Sequence, residues 1–116
     1  MYYKATQAAI HNKRPYHLAA IAWRGNTPVA IGINSAKTHP KADRSYPNGI
    51  NSACLHAEMH ALFKCRGNCD RLEVFRIKSS GKFGMAKPCR LCQEHINRYG
   101  IKDVRYTNEE GQWTQL

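Results

Sequence analysis

Residues 72–107, LEVFRIKSSGKFGMAKPCRLCQEHINRYGIKDVRYT, decide the fold. Residues 72–78 alternate as a strand does. Residues 79–87 form a Gly-bearing loop. Pro88 suits the start of a helix over 89–99, where no backbone donor is needed, and Gly100 stops it. Residues 101–107 form a second strand. Strand, helix and strand in succession imply a sheet covered by helices.

Working outward, Asn108-Glu109-Glu110-Gly111 is a turn, and residues 112–116 form a short last strand. So short a turn forces the last two strands to be antiparallel, because a parallel return needs a long crossover. Upstream, Ser52 can cap a helix from Cys54 to about Cys65 that stops near Gly67. Before it, strands 18–23 and 28–34 flank Gly25-Asn26, a hairpin signal. Residues 2–11 read as a short helix. The order α-β-β-α-β-α-β-β predicts a three-layer α-β-α domain over residues 1–116, with a five-stranded mixed sheet.

The chain has 116 residues, enough for one compact domain, and 42% are hydrophobic, enough to fill a core. No run approaches the roughly 20 apolar residues of a bilayer crossing. Residues 1–11 lack the basic start and apolar run of a secretory signal. Eight Gly, five Pro and no sustained heptad exclude a coiled coil. Five cysteines, an odd count, argue for a reducing, cytoplasmic setting over a disulfide scaffold. The net charge is +10, and residues 1–57 carry seven basic residues against one acid, Asp43. That excess favours a polyanionic partner over plain solubility.

Two short motifs carry chemistry: His56-Ala57-Glu58 and Pro88-Cys89-Arg90-Leu91-Cys92. Each sits at the start of an expected helix. One imidazole and two thiolates make a three-ligand set that suits Zn²⁺ and leaves its fourth position open for an acidified water. Helix N-termini favour thiolate at Cys89 and Cys92. Glu58 lies about 200° round an ideal helix from His56. In a looser first turn it can lean over the metal without ligating it, as a proton shuttle. A lone CxxC can be redox or structural, and structural zinc usually takes four protein ligands. No second CxxC is present. Cys65 and Cys69, separated by three residues, read as ordinary buried thiols, as does Cys54.

Together HAE and PCRLC resemble the zinc-dependent cytidine deaminase superfamily, whose pattern is H-x-E…P-C-x-x-C. The resemblance covers most of the chain. It implies that His56, Cys89 and Cys92 hold one zinc ion and that Glu58 is the general acid/base. It implies conversion of cytosine to uracil with loss of ammonia. Gly32-Ile33-Asn34 is similar to the family's G-x-N pattern, which makes Asn34 a sugar-binding candidate; its plain alternative is a strand-end residue. The Ala57 backbone would bind the base's 2-carbonyl. His60 shares a helix side with His56 and reads as packed or substrate-adjacent, not as a ligand. Deoxycytidylate deaminases often carry Asn there, so His60 weakens that subfamily.

Superfamily members act on free nucleosides and nucleotides, on cytosine in single strands, and on adenosine in transfer RNA. A closing hairpin with a His ligand resembles bacterial toxin, plant organelle-editing and phage deaminases, many of them acting on polynucleotides. Three segments mix cations with rings or histidines. They are the loop 11–17, with Lys13, Arg14 and Tyr16; the loop 35–51, with Lys37, His39, Lys41, Arg44 and Tyr46; and Lys82, Phe83 and Lys87. Such mixtures suit phosphate contacts plus base stacking. The expected substrate is therefore cytosine in single-stranded nucleic acid, DNA ahead of RNA. A free nucleotide is the second reading, and a silent nucleic-acid-binding module, disfavoured by the intact Glu58, is the third.

Overall fold

The computed structural model describes residues 2–10, 17–34, 44–45, 51–52 and 56–116. The elements in chain order are α1 (Tyr2–Ile10), β1 (His17–Arg24), β2 (Thr27–Ile33), β3 (Arg44–Ser45), β4 (Asn51–Ser52), α2 (Ala57–Cys65), β5 (Arg71–Ile77), β6 (Phe83–Gly84), α3 (Arg90–Arg98), β7 (Asp103–Thr107) and β8 (Trp113–Gln115). The main sheet runs β2-β1-β5-β7-β8. Strands β5 and β7 are parallel, the pairing expected across a helical crossover. The other neighbours, including β7 and β8, are antiparallel.

Two departures from the sequence reading concern strands. The sheet has six strands, not five, because two residues of the expected 79–87 loop pair with the end of β5 as Arg76↔Gly84 and Ile77↔Phe83. Within the expected 35–51 loop, β3 pairs antiparallel with β4; residues 35–43 and 46–50 lie outside the described residues.

Both faces of the central strands are buried, which gives the three layers. On β1, Ala19 and Ile21 pack with Phe75, Ile77 and α1 residues Ala5 and Ala9. Ala20 and Ala22 face the other way, into a core with Met59, Leu62, Leu72, Val74, Ile96 and Val104 under α2 and α3. This is the period-2 alternation of a strand covered on both sides.

The C-terminal ends of β5 and β7 are stitched to β6. Buried Thr107 donates its hydroxyl to the Gly84 carbonyl (2.6 Å), and Ala86 N–H donates to the Thr107 carbonyl (2.8 Å). Residues 83–86 thus deliver the chain to Pro88 and Cys89 at the carboxyl end of the parallel strands. In open α/β sheets that end is where ligands bind.

At the other side of the site, α2 lies directly on β2. A Cβ on Gly32 would overlap the Ala57 carbonyl oxygen and the Ala61 amide nitrogen, both backbone atoms that cannot rotate away. Gly32→Ala is therefore expected to push α2 off the sheet and cost about 1–3 kcal/mol or more, by the overpacking rule. Urea unfolding checks this; an unchanged midpoint would mean that α2 does not need this close approach.

Candidate metal centre and active site

Helices α2 and α3 begin at one place. Their N-cap residues are His56 (φ −83°, ψ 158°) and Cys89 (φ −66°, ψ 161°), both extended. The sequence reading started these helices at Cys54, behind a Ser52 cap, and at Cys89. The structure instead puts Ser52 in β4 and the first helical residues at Ala57 and Arg90; residues 53–55 lie outside the described residues. The reason is chemical at Cys89, whose sulfur accepts the Cys92 backbone N–H (3.5 Å) as an N-cap oxygen would. Gln93 Nε2 donates to the Pro88 carbonyl (2.8 Å) and holds the turn from behind. His56 makes no side-chain cap to its own helix. Its ring turns to the sulfurs.

The His56 Nδ1 atom lies 3.1 Å from Cys92 Sγ and 4.0 Å from Cys89 Sγ. All three donor atoms lie within 4.8 Å of one another, and no other such group occurs among the described residues. Cys92 is buried, and His56 and Cys89 are half-buried. A tetrahedral zinc with its usual bond lengths separates N and S ligands by about 3.6 Å. The two N–S separations straddle that value, so the trio fits one zinc ion. A hydrogen bond with the Cys92 side chain, outweighing the cost of burial, holds the Cys89 thiol down to about 3, with the His56 ring and the Cys92 N–H adding to it. Cys89 is thus a thiolate, the form that binds metal.

Glu58, the second residue of α2, is buried at 6% exposure. A carboxylate in the first helical turn is favoured by the helix dipole. The structure therefore sets one buried carboxylate two residues after a donor of the trio.

A family model for the cytidine and deoxycytidylate deaminase zinc-binding region matches residues 1–108. The chain belongs to this family. It is a zinc-dependent hydrolase of C–N bonds with one zinc ion as cofactor. Among solved structures, it is similar to a cytidine deaminase from Burkholderia pseudomallei, 19% identical, with a TM-score of 0.62 over 97% of this chain and 87% of that one. It is likewise similar to a cytidine deaminase from Mycobacterium leprae, 18% identical, with a TM-score of 0.58 over 97% and 87% of the two chains. A dCMP deaminase from the cyanophage S-TIM5, in complex with dCMP and dUMP, is 25% identical, with a TM-score of 0.55 over 93% and 79%. No curated protein sequence matches the chain.

In this deaminase the other expected site residues fall in three groups. Ala57 is buried as the first residue of α2, and Asn34 is buried just past β2. Asn34 Oδ1 accepts the Leu18 N–H (3.0 Å), so its oxygen does the work of a strand-end residue. Phe83 needs correcting. Its ring packs against Phe75 (5.1 Å) and Trp113 (6.3 Å) in the α1-side cluster, on the other face of the sheet from the α2 and α3 core that includes Cys92. The cause is strand parity: Phe83 pairs with Ile77, whose side chain faces α1. Lys13, Arg14 and Tyr16 lie outside the described residues, as do Lys37, His39, Lys41, Tyr46 and Cys54; Lys82 and Lys87 are exposed.

His60 packs against β2, away from the donor trio. Cys65 and Cys69 are half-buried, less covered than expected. Burial, and then the neighbouring Cys65, push the Cys69 thiol up to about 12. Sequence reading missed Gln93, whose signal was its place one residue after the CxxC.

Two outcomes follow from this geometry. Cys89→Ala and Cys92→Ala are each expected to lose zinc and to unfold more readily, because metal binding and folding are linked; full zinc content by elemental analysis would contradict the donor set. In the metal-stripped protein at pH 6, Cys89 is ionised and Cys69 almost wholly protonated. After allowing for the weaker nucleophilicity of a low-pKa thiolate, iodoacetamide should modify Cys89 about a hundredfold faster than Cys69. Peptide mass spectrometry reads the order, and Cys69 reacting first would reverse the assignment.

Proposed function

We propose that this enzyme converts cytosine to uracil within single-stranded nucleic acid, DNA ahead of RNA. The deamination rests on one observation above all: the buried Glu58 stands in the first turn of the helix whose N-cap, His56, belongs to the donor trio. In this reading His56, Cys89 and Cys92 would hold the zinc, which would supply acidification of a water. Glu58 accepts a proton from the attacking water as the C4–O bond forms. The carboxyl group gives that proton to N3, then carries the C4 hydroxyl proton to the amine as the C4–N bond breaks. Water is consumed and ammonia released, so atoms and charge balance. In this reading the Ala57 backbone, in the first turn of α2, binds the 2-carbonyl, and Asn34 binds the sugar.

Charge supports the polymeric substrate. A free nucleotide needs one or two cations, whereas +10 over 116 residues is a broad field. Lys82 and Lys87 are exposed in the segment that leads in sequence to Cys89. Stacking by Phe83 is not part of this reading, since its ring faces α1. The free thiols Cys65, Cys69, Cys89 and Cys92 suit a reducing, cytoplasmic setting.

Free deoxycytidine nucleotide is the second reading. It is favoured by the likeness to the cyanophage dCMP deaminase. The His60 ring also presents its Nδ1 at the side-chain position where an Asn carboxamide would present its own polar atoms, so His60 does not count against that substrate.

One experiment tests both parts. Glu58→Gln should keep zinc and fold yet lose at least about 10²-fold in turnover, the usual size of general acid/base catalysis. Wild-type enzyme is given cytidine, deoxycytidine, dCMP, single-stranded DNA and RNA oligomers, and duplex. Single strands should be turned over fastest, duplex poorly because its amines are stacked inside, and binding should weaken steeply with salt. Faster turnover of dCMP than of any oligomer, with salt-indifferent binding, would select the second reading.

A further inference from the structure

Among the described residues, strand β2 is an outer strand of the sheet, so alternate backbone groups on its outer side have no strand partner there. Two α2 side chains one turn apart take them. Lys64 Nζ donates to the Ile31 carbonyl (2.9 Å). His60 Nδ1 lies 3.0 Å from the Ile33 amide nitrogen and 3.2 Å from the Ile33 carbonyl oxygen. The spacings match: four helical residues rise about 6 Å and two strand residues about 6.6 Å. Gly32, between the two gripped residues, is where α2 comes too close for any side chain. His60 serves in either tautomer. With its proton on Nε2 it accepts from the Ile33 N–H; with its proton on Nδ1 it donates to the Ile33 carbonyl.

The residue after Ile33 is Asn34. Its N–H donates to the Leu18 carbonyl (3.3 Å), and its Oδ1 accepts the Leu18 N–H (3.0 Å). Inward contacts to β1 and the outward grip of His60 therefore fix the end of β2 from both sides. The helix that grips it is the one carrying His56 and Glu58.

We infer that His60 is a positioning residue for substrate binding: it sets Asn34 relative to Glu58 by hydrogen-bonding the Ile33 backbone, through the N–H in one tautomer and through the carbonyl in the other. This rests on Asn34 being a substrate contact, as proposed above. The side-chain length is decisive. Nδ1 of His and the polar atoms of Asn sit at the same δ position, whereas those of Gln sit one atom further out. His60→Asn should restore the grip, and His60→Gln and His60→Ala should not.

The test uses zinc-loaded enzyme and whichever cytosine substrate the wild type turns over fastest, so it does not depend on the polymer reading. His60→Ala and His60→Gln should raise KM about tenfold, the effect of 1.4 kcal/mol of binding, with kcat and zinc content near wild type. His60→Asn should return KM to near wild type. In a Glu58→Gln background, the substrate Kd should follow the same order. Asn34→Ala runs alongside. If Asn34→Ala raises KM and the His60 variants do not, or if they lower kcat alone, the positioning role is overturned. If Asn34→Ala leaves KM unchanged, the substrate role of Asn34 fails, and this inference with it. Should His60→Ala fail to fold, the contrast between Asn and Gln still decides, and equal KM values for those two overturn the proposal.

Discussion

Everything at the centre of this molecule depends on two helices beginning at one point. His56 and Cys89 are both N-caps, and each turns its side chain towards the other helix's start. Two positive helix ends brought together repel each other unless negative charge lies between them. The Cys89 thiolate supplies such charge, and Cys92, one turn on, adds a second sulfur beside it. A divalent ion then balances the sulfurs, and the buried Glu58 adds a carboxylate to the first turn of α2. The site is thus a charge balance built at helix ends, with the fold arranged to bring those ends together.

The sheet makes that meeting possible. Parallel β5 and β7 run to a common carboxyl edge, and β6, pinned by Thr107, leads the chain across it to Pro88. On the other flank, Gly32 lets α2 lie flat against β2. Each half of the donor trio is therefore fixed by backbone packing before any metal arrives. That is the preorganisation an active site needs, because ligands placed on rigid elements keep their geometry.

Much of this was legible in the sequence, and the residues show why. The Gly25-Asn26 hairpin, the NEEG turn and the Pro88–Gly100 helix are written in local turn and cap chemistry, and the HAE and PCRLC motifs carried the donor trio. What escaped was set by distant partners. Ser52 obeys the local capping rule, but it is paired in β4 with Arg44, and His56 takes the cap position with its ring at the sulfurs. Phe83 stands beside lysines in sequence, yet its face was decided by a two-residue pairing with Ile77 that no local pattern announces. Asn34 reads locally as either a ligand-binding residue or a strand end, and its oxygen accepts the Leu18 N–H, a long-range contact that no local pattern shows. The half-buried state of Cys65 and Cys69 follows from where α2 stops, at the left-handed Arg66 and Gly67, rather than from residue type.

The Cys69 thiol has a consequence for how the protein acquires its metal. A sulfur that keeps its proton up to about pH 12 competes poorly for a soft cation at neutral pH. At neutral pH the folded domain therefore offers an arriving ion a thiolate at Cys89 and a protonated thiol at Cys69. Burial, helped by the neighbouring Cys65, disfavours Cys69 as a metal ligand without removing the residue.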